Sequence, residues 1–179
     1  KETGPPITAS PPISTITCVF TPGLLATSTG QITWFPPFGF PENTPAINAY
    51  DPGVYTAVAT GANGCTSSAS VVVQMNVIYP GAYAGPDQVL CAEENPVQLH
   101  AGFGGPNFFY HWSNGANIPN PVINQPIGTV NYTLTVTNVT NGCTETDNVM
   151  VTVKPPIVTS LASISLCQGD CFTLGGQQF

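Results

Sequence analysis

The chain repeats itself, and the period of that repeat limits its fold more than any other feature. Thirty-one residues separate Trp34 from Cys65, and thirty-one separate Trp112 from Cys143. Tyr55 stands 10 residues before Cys65, and Tyr132 stands 11 before Cys143. Val71, Val73 and Met75 follow Cys65 at offsets +6, +8 and +10, as Val149, Val151 and Val153 follow Cys143. Cys18 to Cys91 spans 73 residues and Cys65 to Cys143 spans 78, which puts the period near 76–78. A unit of that length must bury its own core. The expected domains are a first repeat over 1–78, a second over 79–155, and the start of a third, incomplete repeat over 156–179.

Within each repeat the apolar residues recur with period 2. In Asn131-Tyr-Thr-Leu-Thr-Val-Thr-Asn138, Tyr132, Leu134 and Val136 face one way and the threonines the other, the signature of a half-buried antiparallel strand. Asn63-Gly64 and Asn141-Gly142 predict tight hairpin turns with positive φ, each leading into a valine-rich return strand. No segment carries a useful helical stripe. Trp34 and Trp112, on earlier strands, are expected in the middle of a two-sheet core, and Asp51-x-Gly53-x-Tyr55 is similar to the tyrosine corner of immunoglobulin-like sandwiches. Tyr132 is its counterpart, with Gly128 in place of the Asp-x-Gly. The fold class expected is all-β: tandem antiparallel immunoglobulin-like β-sandwiches.

Composition removes several function classes. Lys1 and Lys154 are the only cationic side chains, there is no arginine, and the net charge is -7, so no basic surface exists for a phosphate backbone and no nucleic-acid partner is expected. Hydrophobic residues make up 42 % of the chain, too many for a disordered segment, yet no apolar run approaches the roughly 18–20 residues of a transmembrane helix. No signal peptide is evident, which is expected of a mature form or an internal fragment.

Six cysteines stand at 18, 65, 91, 143, 167 and 171 without the C-x-x-C spacing of a zinc site. Buried thiols are one reading. The repeat favours disulfides, and with them an oxidising, extracellular or cell-surface location. One cysteine near the start of each repeat and one after its last turn predict the pairs Cys18–Cys65 and Cys91–Cys143, each contributing roughly 4 kcal/mol on the chain-entropy model. Cys167 and Cys171 pair either with each other or with residues beyond Phe179.

The segments Ala84-Gly-Pro-Asp-Gln-Val-Leu-Cys91, His111-Trp-Ser-Asn-Gly115 and Asn131–Val153 resemble the PKD-like or immunoglobulin-like repeats of very large Bacteroidetes surface proteins. Those are adhesins and gliding-type proteins exported by type IX secretion. Cys167-Gln-Gly-Asp-Cys-Phe-Thr-Leu174 is similar to the start of another repeat type in the same proteins. The resemblance covers nearly the whole chain and implies a stalk, a spacer or a binding head. The first repeat departs from it most, lacking the Gly-Pro-Asp-Gln entry.

Catalytic chemistry finds little to use. His100 and His111 have no readable carboxylate or histidine partners, no nucleophile elbow or phosphate loop is present, and no glycosidase-type carboxylate pair can be named. No cofactor or metal is expected; the linkers between repeats carry none of the carboxylates that calcium requires. The stretch Phe35-Pro-Pro-Phe38-Gly-Phe40-Pro41 stands out. Three aromatics in a proline-stiffened loop can cap their own sandwich, plug a neighbour's groove or stack on sugar faces. The expected function is a non-catalytic, structural or adhesive repeat segment of a cell-surface or filament-forming protein. Its expected partners are neighbouring repeats, like subunits, a surface glycan or a protein. The alternatives are a glycan- or protein-binding module, and a fibre subunit in which 156–179 complete a neighbour's sheet.

Overall fold

A computed structural model describes residues 3–102, 104–158, 172–174 and 177–178. The chain divides into two compact units, Lys1–Ile78 with Asn141–Cys143, and Tyr79–Thr140 with Thr144–Phe179.

The first unit is a sandwich of two sheets. Strands β1 (Ile7–Ser10), β3 (Gly23–Ser28) and β5 (Ala46–Asn48) form one sheet in the order β1-β3-β5. Strands β2 (Ile13–Thr17), β4 (Gln31–Phe35), β6 (Gly53–Thr60) and β7 (Thr66–Asn76) form the other in the order β2-β7-β6-β4. All its neighbours run antiparallel except β2, which runs parallel to β7. Splitting the first strand between the two sheets, with the last hairpin flanked by a tryptophan strand, is immunoglobulin-like topology. Alternation along β6 sends Tyr55, Ala57 and Ala59 inward, shielded from solvent, and Tyr55 and Ala57 share one core cluster with buried Trp34, Leu24 and Val71.

The second unit keeps the plan. Strands β8 (Gln88–Cys91), β10 (Phe108–Trp112), β12 (Gly128–Asn138) and β13 (Thr144–Lys154) make a sheet in the order β10-β12-β13-β8, with β8 again parallel to β13. Strands β9 (Val97–Gln98) and β11 (Val122–Ile123) pair opposite. Trp112, Leu134, Val149 and Val151 are fully buried in its core. Among the described residues three short strands follow: β14 (Ile157–Val158) lies parallel to β15 (Phe172–Leu174), which pairs antiparallel with β16 (Gln177–Gln178). No helix among the described residues is long and apolar enough to cross a membrane.

Two details differ from the sequence reading. The hairpin turns are wider than two residues, with register closing at Thr60↔Thr66 and Thr137↔Thr144. In both, only the glycine takes positive φ (Gly64 at 78°, Gly142 at 71°). The asparagine instead turns its side chain back, Asn63 Oδ1 accepting from Cys65 N–H at 3.1 Å and Asn141 Oδ1 from Cys143 N–H at 3.0 Å. Met75, aligned with buried Val153, is exposed.

The sparse carboxylates of the second unit hold backbone. Gly81 N–H donates to Glu145, Ala84 N–H to Asp147, and Met150 N–H to Asp87, each at 2.8 Å, while Cys91 N–H donates to Glu94 at 2.6 Å. Three of these bonds pin residues 81–87 along β13. Ala84 is fully buried, so losing its acceptor strands a donor away from water. Asp147→Ala is expected to cost about 1–3 kcal/mol in denaturant titration, and Asp147→Asn less, because the amide oxygen still accepts.

Candidate interaction loop and cysteine clasp

Trp34 ends its inward turn with Nε1–H donating to the Pro45 carbonyl at 3.3 Å, and Trp112 does the same to Ile118 at 3.1 Å. Beyond Trp34 the chain leaves β4 and returns at Glu42. Trp34 N–H to Glu42 O (2.8 Å) and Glu42 N–H to Trp34 O (2.9 Å) close residues 35–41 into a loop. Thr33 Oγ1–H reinforces the return by donating to Asn43 Oδ1 at 2.7 Å. The base packs tightly on Gly53, where an added Cβ would lie 2.7 Å from Pro37 Cβ. Gly53 also holds φ 144°, so only glycine serves there.

At the tip, Phe38 is 69 % and Phe40 88 % exposed, with Phe35 half-exposed beside them. Neither Phe38 nor Phe40 folds back as a cap. Phe35 lies opposite Thr56, two residues along β6 from Val54, and Val54, Val72 and Ile13 form an exposed row across β6, β7 and β2. Uncharged aromatic and aliphatic surface therefore continues from the loop onto the sheet.

The tyrosine corner forms in the first unit: Tyr55 Oη–H donates to Asp51 O at 3.0 Å and accepts from Asp51 N–H at 3.3 Å. The second unit replaces it. Tyr132 donates to the buried Gln125 side chain, whose backbone exchanges bonds with the Asn95 amide (Asn95 Nδ2–H to Gln125 O, 2.8 Å; Gln125 N–H to Asn95 Oδ1, 3.3 Å). Nothing in the repeat spacing signals Gln125 or Asn95. Burial raises the Tyr132 phenol above its ordinary value of 10. A raised pKa in the folded state means that this contribution is intact below pH 10 and fades as pH rises through the folded value, because the unfolded phenol ionises first. Denaturation series from pH 8 to 11 should show an alkaline decline that is shallower in Tyr132→Phe.

The cysteines pair differently from the expectation. Cys18 is bonded to Cys143, with Cα atoms 5.0 Å apart, so neither Cys18–Cys65 nor Cys91–Cys143 forms; Cys91 is disulfide-bonded elsewhere. The reason is the parallel pairing of β2 with β7. Thr17, just before Cys18, aligns with Asn76, whereas Cys65 precedes Thr66 at the other end of the same strand. Ten residues of strand put them about 33 Å apart, far outside disulfide reach of about 7 Å. Cys91 aligns with Lys154 and Cys143 precedes Thr144, so the second unit forbids its expected pair in the same way. The proposals for Cys167 and Cys171 lie outside the described residues.

Residues 141–143 thus belong to the first unit as a clasp. Asn141 is buried, its Nδ2 donating to Asn76 Oδ1 at 3.0 Å and to the Ile78 carbonyl at 2.9 Å. Gly142 lies against Val19, whose Cγ2 would stand 2.5 Å from an added Cβ, whereas Gly64 has open space there.

His111 faces outward with Nδ1 2.9 Å from Asn117 Oδ1, and His100 is exposed. Two depressions of about 370 and 460 Å³ run along the β1–β3 and β3–β5 edges, lined by residues 6–8 with 27–29 and by 23–25 with 46–48, with no ionisable side chain. Among the described residues no three His, Cys, Asp or Glu side chains gather as metal ligands.

No protein-family model matches the chain, and no curated protein matches it. Solved structures similar to it include the fibronectin(III)-like modules of Clostridium thermocellum CbhA (14 % identity, TM-score 0.37, covering 89 % of this chain and 100 % of that one). The I-band fragment I67–I69 of titin is similar at 18 % identity and TM-score 0.42, over 87 % of this chain and 68 % of that one. Sidekick-1 immunoglobulin domains 1–5 match at 16 % identity and TM-score 0.36, over 84 % and 40 %.

Proposed function

We propose that this chain is a non-catalytic, extracellular structural segment of a cell-surface or filament-forming protein. The observation that carries the reading is the Cys18–Cys143 clasp. A disulfide joining residues 125 apart persists in an oxidising compartment and closes most of the chain into one covalent loop. Tight tryptophan cores and carboxylates committed to backbone bonds support the same reading. The resemblance to large Bacteroidetes surface adhesins adds to it on the motifs quoted above. The test is labelling of intact source cells with antibodies raised against the chain, beside cells made permeable. Equal labelling of both is expected. Signal confined to permeable cells overturns the reading.

A second reading, adhesion to a glycan through the Phe38–Phe40 tip, is favoured by the exposure of two rings on a braced, uncharged loop. Binding on a glycan array, lost by at least tenfold in Phe38→Ala with unchanged thermal stability, is the expected result. Binding that survives the substitution, or no binding at all, sinks it.

A further inference from the structure

We propose that the Cys18–Cys143 bond is a redox-controlled extension stop, which deepens the structural reading above and rests on it. Tension applied at the two ends of the chain enters at residue 1 and passes along β1 and β2 to Cys18. There it meets a covalent shortcut to Cys143, and it leaves along β13 towards residue 179. Everything between the two cysteines lies in a closed loop. Strands β3 to β12, with both tryptophans, the first tyrosine corner and the aromatic loop, cannot be drawn out while the bond is intact.

The length held back follows from chain geometry. An extended residue spans at most about 3.3–3.6 Å, so a separation of 125 residues stores about 410–450 Å. Sandwich unfolding releases none of it until the sulfurs part.

The clasp is built to be opened from one side. Cys18 is exposed and Cys143 fully buried, so a reductant reaches the bond at the Cys18 sulfur. A dithiol reductant attacks there as thiolate, forming a mixed disulfide with Cys18 and releasing Cys143 as thiolate. Its second thiolate then displaces Cys18. Two electrons pass to the protein, the reductant leaves as a cyclic disulfide, and both cysteine sulfurs take up protons. When tension falls and the chain refolds, the bonds from Asn141 to Asn76 and Ile78, and the seat of Gly142 against Val19, bring Cys143 back beside Cys18. A disulfide oxidant then takes two electrons from the pair, both thiol protons are released, and the bond re-forms by thiol–disulfide exchange.

The experiment is single-molecule pulling of the full chain held at its two ends, before and after dithiothreitol. Reduction is expected to lengthen the fully extended chain by about 410–450 Å. Cys65→Ser should leave the oxidised length unchanged, whereas Cys18→Ser should lengthen it. Oxidised parent and oxidised Cys18→Ser chains of equal extended length overturn the proposal, since the Cys91 disulfide is present in both. So does an oxidised Cys65→Ser chain longer by about 155–170 Å, the length of a Cys18–Cys65 loop. Extended length depends on covalent connectivity alone, so a variant that folds poorly still gives a decisive result. The pulling and surface-labelling results can fail separately.

Discussion

Cys18→Ser is expected to lower the unfolding free energy by roughly 5 kcal/mol, the chain-entropy value for a loop of 125 residues. Cys18 is exposed, so serine disturbs no core and the loss isolates the cross-link. For a chain of this size the shift corresponds to about 10–20 °C in Tm, readable by calorimetry without reductant. Cys65→Ser is the control, expected to stay within about 1 kcal/mol of the parent because Cys65 is not the partner of Cys18. Dithiothreitol should bring the parent close to Cys18→Ser, apart from what the Cys91 disulfide adds. A larger loss from Cys65→Ser than from Cys18→Ser would refute the pairing.

Trp112→Ala should cost the second unit about 3–5 kcal/mol. The indole is fully buried among Leu134, Val149 and Val151, and its N–H is tied to the Ile118 carbonyl. Removing it leaves a cavity between two sheets that cannot collapse without breaking the β10–β12 register. Hydrogen exchange should then accelerate through β10, β12 and β13. Trp34→Ala is the corresponding change in the first unit, and a loss below 1 kcal/mol from either would contradict the core assignment.

Much of the fold was readable from residue pattern. Tyr132, Leu134 and Val136 lie inward as their spacing requires, because strand side chains alternate whatever lies further along the chain. Tyr55 reaches back to Asp51 because Gly53 allows the sharp turn between them. The short strands β5, β9 and β11, of two or three residues, were not readable, since so few side chains carry no period. Nor were the bonds of Asp87, Glu145 and Asp147 to backbone: a carboxylate in a sequence carries no mark of which distant N–H it will accept. The aromatic loop was visible as composition, but the exposure of Phe38 and Phe40 depends on how Trp34 and Glu42 close its neck.

The repeat, its period, the buried tryptophans and the all-β class follow from the sequence alone, since each depends on local alternation and on spacing that any copy of the unit must keep. The cysteine partners were decided only in three dimensions. Spacing within a repeat says that two cysteines recur together, and it says nothing about which end of a strand each one occupies. Parallel pairing of β2 with β7, and of β8 with β13, sends the early cysteine of each repeat to the end of the sheet away from its own hairpin tip. Over ten residues of strand that separation is about 33 Å, and no disulfide crosses it. The same parallel register places Cys18 beside Asn76, where Asn141 and Cys143 meet it, and that placement makes the clasp.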